Sequence, residues 1–106
     1  MPKNNKPIVV YTVTVLDVRN SDCPGYWRTP CIFTELEDAI QVVRGNDLDI
    51  SENGTNQYAV VEKTFLNQVY PCAKERHWFE WSHEEEEYIA MDVPQKYTKV
   101  YAFGIG

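Results

Sequence analysis

The chain has 106 residues, a length that suits one domain burying about two-thirds of the surface its unfolded form exposes. Its hydrophobic share of 43%, with 13% aromatics, excludes a disordered chain. A net charge of −6, with ten Lys+Arg spread along the sequence, excludes the basic stripe that a general nucleic-acid binder needs, although two or three placed cations can still hold a small anion.

Residues 1–7 are polar, with two prolines and two asparagines, and read as a flexible tail ahead of a single domain over 8–106. Ile8 to Val18 is rich in β-branched residues and predicts a long first strand. Tyr11, Val13 and Val15 fall on one face. Val10, Thr12, Thr14 and Leu16 fall on the other. Both faces are fairly apolar, as in a central strand with a helix over one face and partial cover on the other. Arg19 to Gly25 has loop composition. Tyr26 to Phe33 predicts a second strand, which Pro30 demotes to an edge or a bulged segment.

The spacing predicts one amphipathic helix over Thr34 to Gly45. Thr34-Glu35-Leu36-Glu37 has the form of a capping box. Leu36, Ala39, Ile40 and Val43 recur on one helix face, and Gly45 stands where a left-handed cap is wanted. Asn46 to Gln57 reads as a long polar connection. Tyr58 to Phe65 and Arg76 to Ser82 predict strands, the latter with His77, Phe79 and Trp81 on one side and Arg76, Trp78 and Glu80 on the other. Glu84 to Glu87 reads as a charged hairpin tip, Tyr88 to Val93 as the returning strand, Pro94 as a turn, and Val100 to Ile105 as a closing strand. The order β-β-α-β-β-β-β implies an α+β domain. Its mostly antiparallel sheet of five to six strands carries one helix on one face. A second long helix is missing, which excludes a doubly wound sheet.

Cys23, Cys31 and Cys72 are odd in number and form no C-x-x-C pair. With no apolar leader, this composition points to a reducing cytoplasm. Asn53-Gly54-Thr55 has the form of a glycosylation sequon and, without secretion, reads as a polar turn. No run of about 18 apolar residues occurs, so no membrane-spanning helix is expected.

Asp47 to Gly54 offers alternating oxygens of the kind that wrap Ca²⁺. A calcium loop counted from Asp47 has Glu52 where glycine is required and Tyr58 where glutamate is required, so a solvated connection is the expectation. Cys72, His77 and His83, with Cys23 or Cys31, are zinc-type ligands. Their separations of five and six residues fit no paired spacing. A Cys–His nucleophile is conceivable on composition, but no cysteine stands in a sequence context that lowers a thiol pKa, such as the first turn of a helix. No cofactor and no metal are expected.

Glu80 with Glu84, Glu85, Glu86 and Glu87 supplies carboxylates that mostly face water at a hairpin tip. Besides resisting aggregation, such a tip can dock on a basic surface of another protein. Tyr26, Trp27, Arg28, Tyr70, Lys74, Arg76 and Trp78 combine aromatic faces, which stack bases, with guanidinium groups, which fork onto phosphates. They either line one concave site for a nucleotide-like ligand or pack over the sheet.

Several segments together resemble a loose family of short proteins encoded by phages and other mobile elements. They are Tyr11-Thr12-Val13-Thr14, Thr34-Glu35-Leu36-Glu37-Asp38-Ala39-Ile40, Asn46, Asp49-Ile50 and Glu52. Tyr58-Ala59-Val60-Val61-Glu62, Val69-Tyr70-Pro71, Trp78-Phe79 and Phe103-Gly104-Ile105-Gly106 complete the set. The likeness covers most of the chain after residue 8 and consists of fold-like patterns. It implies a small accessory protein in the cytoplasm of a bacterial host, with no activity or site residue to carry over. The leading expectation is therefore a non-enzymatic, oligomeric binding protein that antagonises host defence by occupying a host protein. A sponge for a nucleotide-like signal and a small hydrolase are the alternatives. A regulatory subunit paired as a homodimer through the closing strand is a third reading.

Overall fold

A computed structural model of the protein describes residues 8–17, 26–66 and 75–94. Five strands form one antiparallel sheet: β1 (Ile8–Asp17), β2 (Tyr26–Phe33), β3 (Tyr58–Leu66), β4 (Glu75–Ser82) and β5 (Glu87–Met91). Their order across the sheet is β2-β1-β3-β4-β5. One helix, α1 (Leu36–Gly45), packs on one face, and the α+β architecture is the one the sequence predicts. The expected strand at Val100 to Ile105, the tail over residues 1–7 and the loop from Arg19 to Gly25 lie outside the described residues.

The period-two pattern of β1 is realised across both faces. Val13 and Val15 join Ala59, Val61, Phe79 and Tyr88 beneath the helix residues Ala39 and Val43. Leu36 and Ile40, the other two residues of the predicted helix face, are partly buried against this core. Trp81 meets Tyr88 edge to face at 5.2 Å. Burial of this apolar set supplies most of the folding drive, at about 25 cal/mol per Å² removed from water.

The opposite face is covered more completely than the expected partial cover. Val10, Thr12, Thr14 and Leu16 are all buried, as are Val60, Glu62, Thr64 and Trp78. Glu62 is 1% exposed and receives a 2.8 Å hydrogen bond from Arg76 Nε on the next strand. Thr14 and Thr29 join their hydroxyls at 2.9 Å.

Pro30 sits in the register shift between Val13 and Val15. Val13 faces Cys31 and Val15 faces Arg28, so Thr29 and Pro30 together oppose Thr14. A residue without an N–H is tolerated at such a bulge and on an edge strand, and among the described strands β2 is bulged and lies at the edge.

Both expected helix caps are corrected. Thr34 is not the N-cap: Glu35 holds that position in extended conformation and makes no side-chain capping bond, so the box does not close. Gly45 is the last helical residue. Asn46 takes the left-handed cap instead (φ 48, ψ 46), and its N–H reaches the carbonyls of Val42 and Val43. Asparagine tolerates this conformation because its short polar side chain bonds locally, here from Oδ1 to the N–H of Ser51 at 2.9 Å.

Candidate functional site

The connection after α1 is a built structure. Asp47–Asp49 forms a short 3₁₀ turn, and hydrogen-bonded turns continue to Thr55. Asp49 is its hub, because its Oδ1 accepts from Asn53 N–H (3.1 Å), Asn46 Nδ2 (3.2 Å) and Ser51 Oγ (3.2 Å). These donors, the Asn53 amide first, hold the Asp49 carboxyl below its ordinary value. Glu52 Oε2 accepts from Arg28 Nη2 (2.7 Å), Arg28 Nε (2.9 Å) and Asn56 Nδ2 (3.1 Å), which lowers its carboxyl as well, with Arg28 the larger cause.

Two further bonds pin the loop to the sheet. Tyr88 donates its hydroxyl to the Asn56 carbonyl at 2.6 Å, and the Trp81 backbone N–H donates to the Gln57 carbonyl at 2.8 Å. Burial pushes the Tyr88 phenol well above its ordinary range, with the nearby Asp49 and Glu52 adding to the shift. Gly54, at φ +84, lies so close to Trp81 and His83 that a Cβ there would stand 2.8 Å from the indole nitrogen.

The loop lies at the same end of the sheet as the β4–β5 turn. Leu16 pairs with Tyr58, Tyr58 with Glu80, and Ser82 with Glu87, so these residues mark one rim. The turn over residues 83–86 closes with Glu86 N–H on the Ser82 carbonyl (2.7 Å) and Glu85 N–H on Ser82 Oγ (3.1 Å). Three segments thus bring carboxylates to one end. Asp49 and Glu52 come from the loop, Glu80 from β4, and Glu84, Glu85, Glu86 and Glu87 from the turn and the start of β5, whereas Asp47 lies apart in a groove with Pro30, Cys31 and Phe33. Asp47, Asp49, Glu52, Glu84, Glu85 and Glu86 are exposed, while Glu80 and Glu87 are half-buried. Among the described residues Arg28 reaches into this end and is engaged by Glu52.

The aromatic and basic set does not converge in this way. Arg76 and Trp78 lie on the sheet face away from the helix, where Trp78 meets Tyr58 edge to face at 6.4 Å. Trp27 shares that face but sits on β2, with β1 and β3 between it and β4, about 14 Å away at ordinary strand spacing. Arg28 lies on the helix face with Val15. Both guanidinium groups are bound by carboxylates, Arg28 by Glu52 and Arg76 by Glu62. Tyr70 and Lys74 lie outside the described residues, as does the Tyr26 side chain.

Of the Cys–His combinations among the described residues, Cys31 with His77 fails to meet. Cys31, Val13, Val61 and His77 form one row across four strands, which sets the thiol and the imidazole about 14 Å apart. Burial, with Asp47 nearby, pushes the Cys31 thiol up, away from a reactive thiolate. His77 pairs with Glu75 at 2.9 Å. It lines a cleft of about 620 Å³ between α1 and β4–β5, together with Ile40, Arg44, Phe79 and Ala90. Among the described residues no three His, Cys, Asp or Glu side chains are grouped to hold a metal ion, and no helix is long and apolar enough to cross a membrane. Cys23 and Cys72 lie outside the described residues.

Two features of the site escape a linear reading. Glu62 alternates with Val60 and Thr64 and so belongs to a buried face, and its pairing with Arg76 appears only once β3 and β4 are in register. Leu48 interrupts an acidic run between Asp47 and Asp49, and that one apolar letter is the signal for the loop's exposed tip. No family model matches the chain, and no curated protein or solved structure matches it.

Proposed function

We propose that the protein is a small non-enzymatic binding protein that uses its acidic end to occupy a basic surface of a host protein, in the manner of an anti-defence factor of phage or mobile-element type. One observation carries the reading: exposed carboxylates from the 46–57 loop and from the 83–86 turn gather on one rim of a hydrogen-bonded scaffold. Charges fixed in this way raise the rate of encounter with a cationic partner and reject anionic ones. Their preorganisation limits the entropy lost on docking. The bacterial and phage context rests on the sequence resemblance alone.

A nucleotide-like ligand has less support, because both candidate guanidinium groups are bound by carboxylates and the two tryptophans stand on separate strands. For a Cys–His hydrolase, the Cys31–His77 separation prevents a nucleophile–base contact, while Cys23 and Cys72 lie outside the described residues. Affinity capture from bacterial lysate tests the proposal. The wild type is expected to retain a basic protein that elutes as salt rises. The variant carrying Glu84→Gln, Glu85→Gln, Glu86→Gln and Glu87→Gln is expected to lose it. Identical capture by both proteins contradicts the role given to the acidic end.

A further inference from the structure

Leu48 is fully exposed, at 101% of its reference area, and its backbone is left-handed (φ 53, ψ 28). Both facts are unfavourable for a branched apolar side chain. Water gains nothing from it, and the left-handed region crowds its Cβ against the backbone. The surrounding bonds hold it there nevertheless. Asp49 N–H donates to the Asn46 carbonyl at 3.0 Å, and the Asn46 and Asp49 side chains join at 3.2 Å across it. Leu48 forms the rim of a groove of about 380 Å³ whose walls are Pro30, Phe33, Val42 and Ile50. The polar residues at this groove are Asp47, which is exposed, and Arg28, whose charge is met by Glu52. An apolar trough and an apolar prong are therefore set in a field of negative sign.

We propose that this groove, with Leu48 as its anchor, is the docking site for a cationic polypeptide segment of the partner, one that carries a large apolar residue beside Lys or Arg. The apolar residue enters the trough against Leu48 and Val42, while the flanking cation meets Asp47 and Asp49. Charge complementarity selects this occupant, since an acidic segment is repelled by the same carboxylates. The inference rests on the acidic-end reading and adds where the partner is gripped.

The test uses two fluorescein-labelled peptides, one alternating lysine with leucine and one alternating glutamate with leucine. Anisotropy titrations at low salt are run on the wild type, Leu48→Asn and Leu48→Gly, with amide shifts recorded by NMR. Asparagine and glycine both accept the left-handed backbone, so neither variant loses the fold for that reason. The lysine–leucine peptide is expected to bind the wild type, shift the Val42 and Ile50 amides, and bind both variants about tenfold more weakly, as for loss of one anchoring side chain. Equal affinity in both variants, with shifts confined to the 83–87 turn, overturns this inference and leaves the acidic-end reading standing. No binding of the lysine–leucine peptide to the wild type overturns both. Equal binding of the glutamate–leucine peptide, or self-association that fills the groove with a second copy, overturns the assigned occupant.

Discussion

At the scale of single residues, the structure keeps conformations that its own stability disfavours. A left-handed leucine costs about 1–2 kcal/mol relative to its preferred backbone. Leu48→Gly is therefore expected to raise the unfolding free energy by about 1 kcal/mol in a urea titration, against the usual direction for a glycine substitution. Gly54 is the opposite case. A Cβ there adds a positive-φ penalty to a contact with Trp81 and His83, and Gly54→Ala is expected to lower stability by about 1–3 kcal/mol in the same titration. On the far side of the sheet, Arg76→Ala leaves the buried Glu62 without its guanidinium and is expected to cost about 3–5 kcal/mol. Replacing Glu62 and Arg76 together by methionine is expected to recover most of that loss, because an apolar pair in place of a buried ion pair is often neutral. These positions were only partly legible in the chain. Asn53-Gly54-Thr55 announces a turn, but its approach to Trp81 depends on a residue of a later strand, which no local pattern encodes.

At the scale of elements, periodicity carried the strands and the helix, and local chemistry carried less. The apolar stripe Leu36, Ala39, Ile40 and Val43 faces the sheet as its spacing requires. Pro30 marks the bulge because a missing N–H has the same consequence in any sheet. The caps depart from the motif because a capping motif describes side chains that can bond, while the path of the chain at each helix end decides whether they do. Glu35 occupies the N-cap without a capping bond, so Glu35→Ser is expected to stabilise the protein by about 1 kcal/mol, measured as a shift in urea midpoint.

The 46–57 loop also carries a pH signature. Asp49 and Glu52 are held below ordinary values of 3.8 and 4.5 in the folded state. A carboxyl depressed by folding contributes stability above its unfolded value and loses it as pH falls through the folded one. The loop is therefore expected to loosen below about pH 4, with the Asn53 amide exchanging faster in hydrogen-exchange NMR, while the strands persist. Tyr88 acts at the other extreme. Its raised phenol favours the fold below the ordinary value of 10.0 and loses that contribution as pH rises beyond it.

For the whole molecule, the sheet does two jobs. One face binds the helix and forms the apolar core, and the other buries a layer that includes a charged pair and three threonines. The proposed partner surface centres on a rim, where the ends of β3, β4 and β5 meet the loop that leaves α1. Charge at this rim explains how a domain of net charge −6 can be locally more acidic than its composition implies. The grouping was half visible in the sequence. Glu84 to Glu87 declares itself as a run, whereas the loop carboxylates join it only because β3 returns the chain to the edge of the β4–β5 hairpin. Binding through such a surface is screened within about 10 Å at 0.1 M salt, so the association rate is expected to fall steeply as salt rises, with a smaller change in the dissociation rate.

The central claim is that the acidic end holds a protein partner. Native mass spectrometry tests it most directly, on the wild type and on the Glu84→Gln, Glu85→Gln, Glu86→Gln, Glu87→Gln variant, each purified gently from a bacterial lysate. A second polypeptide mass is expected on the wild type and is expected to be lost from the variant. An added mass of nucleotide size on both proteins, or the same polypeptide retained by both, would contradict that claim.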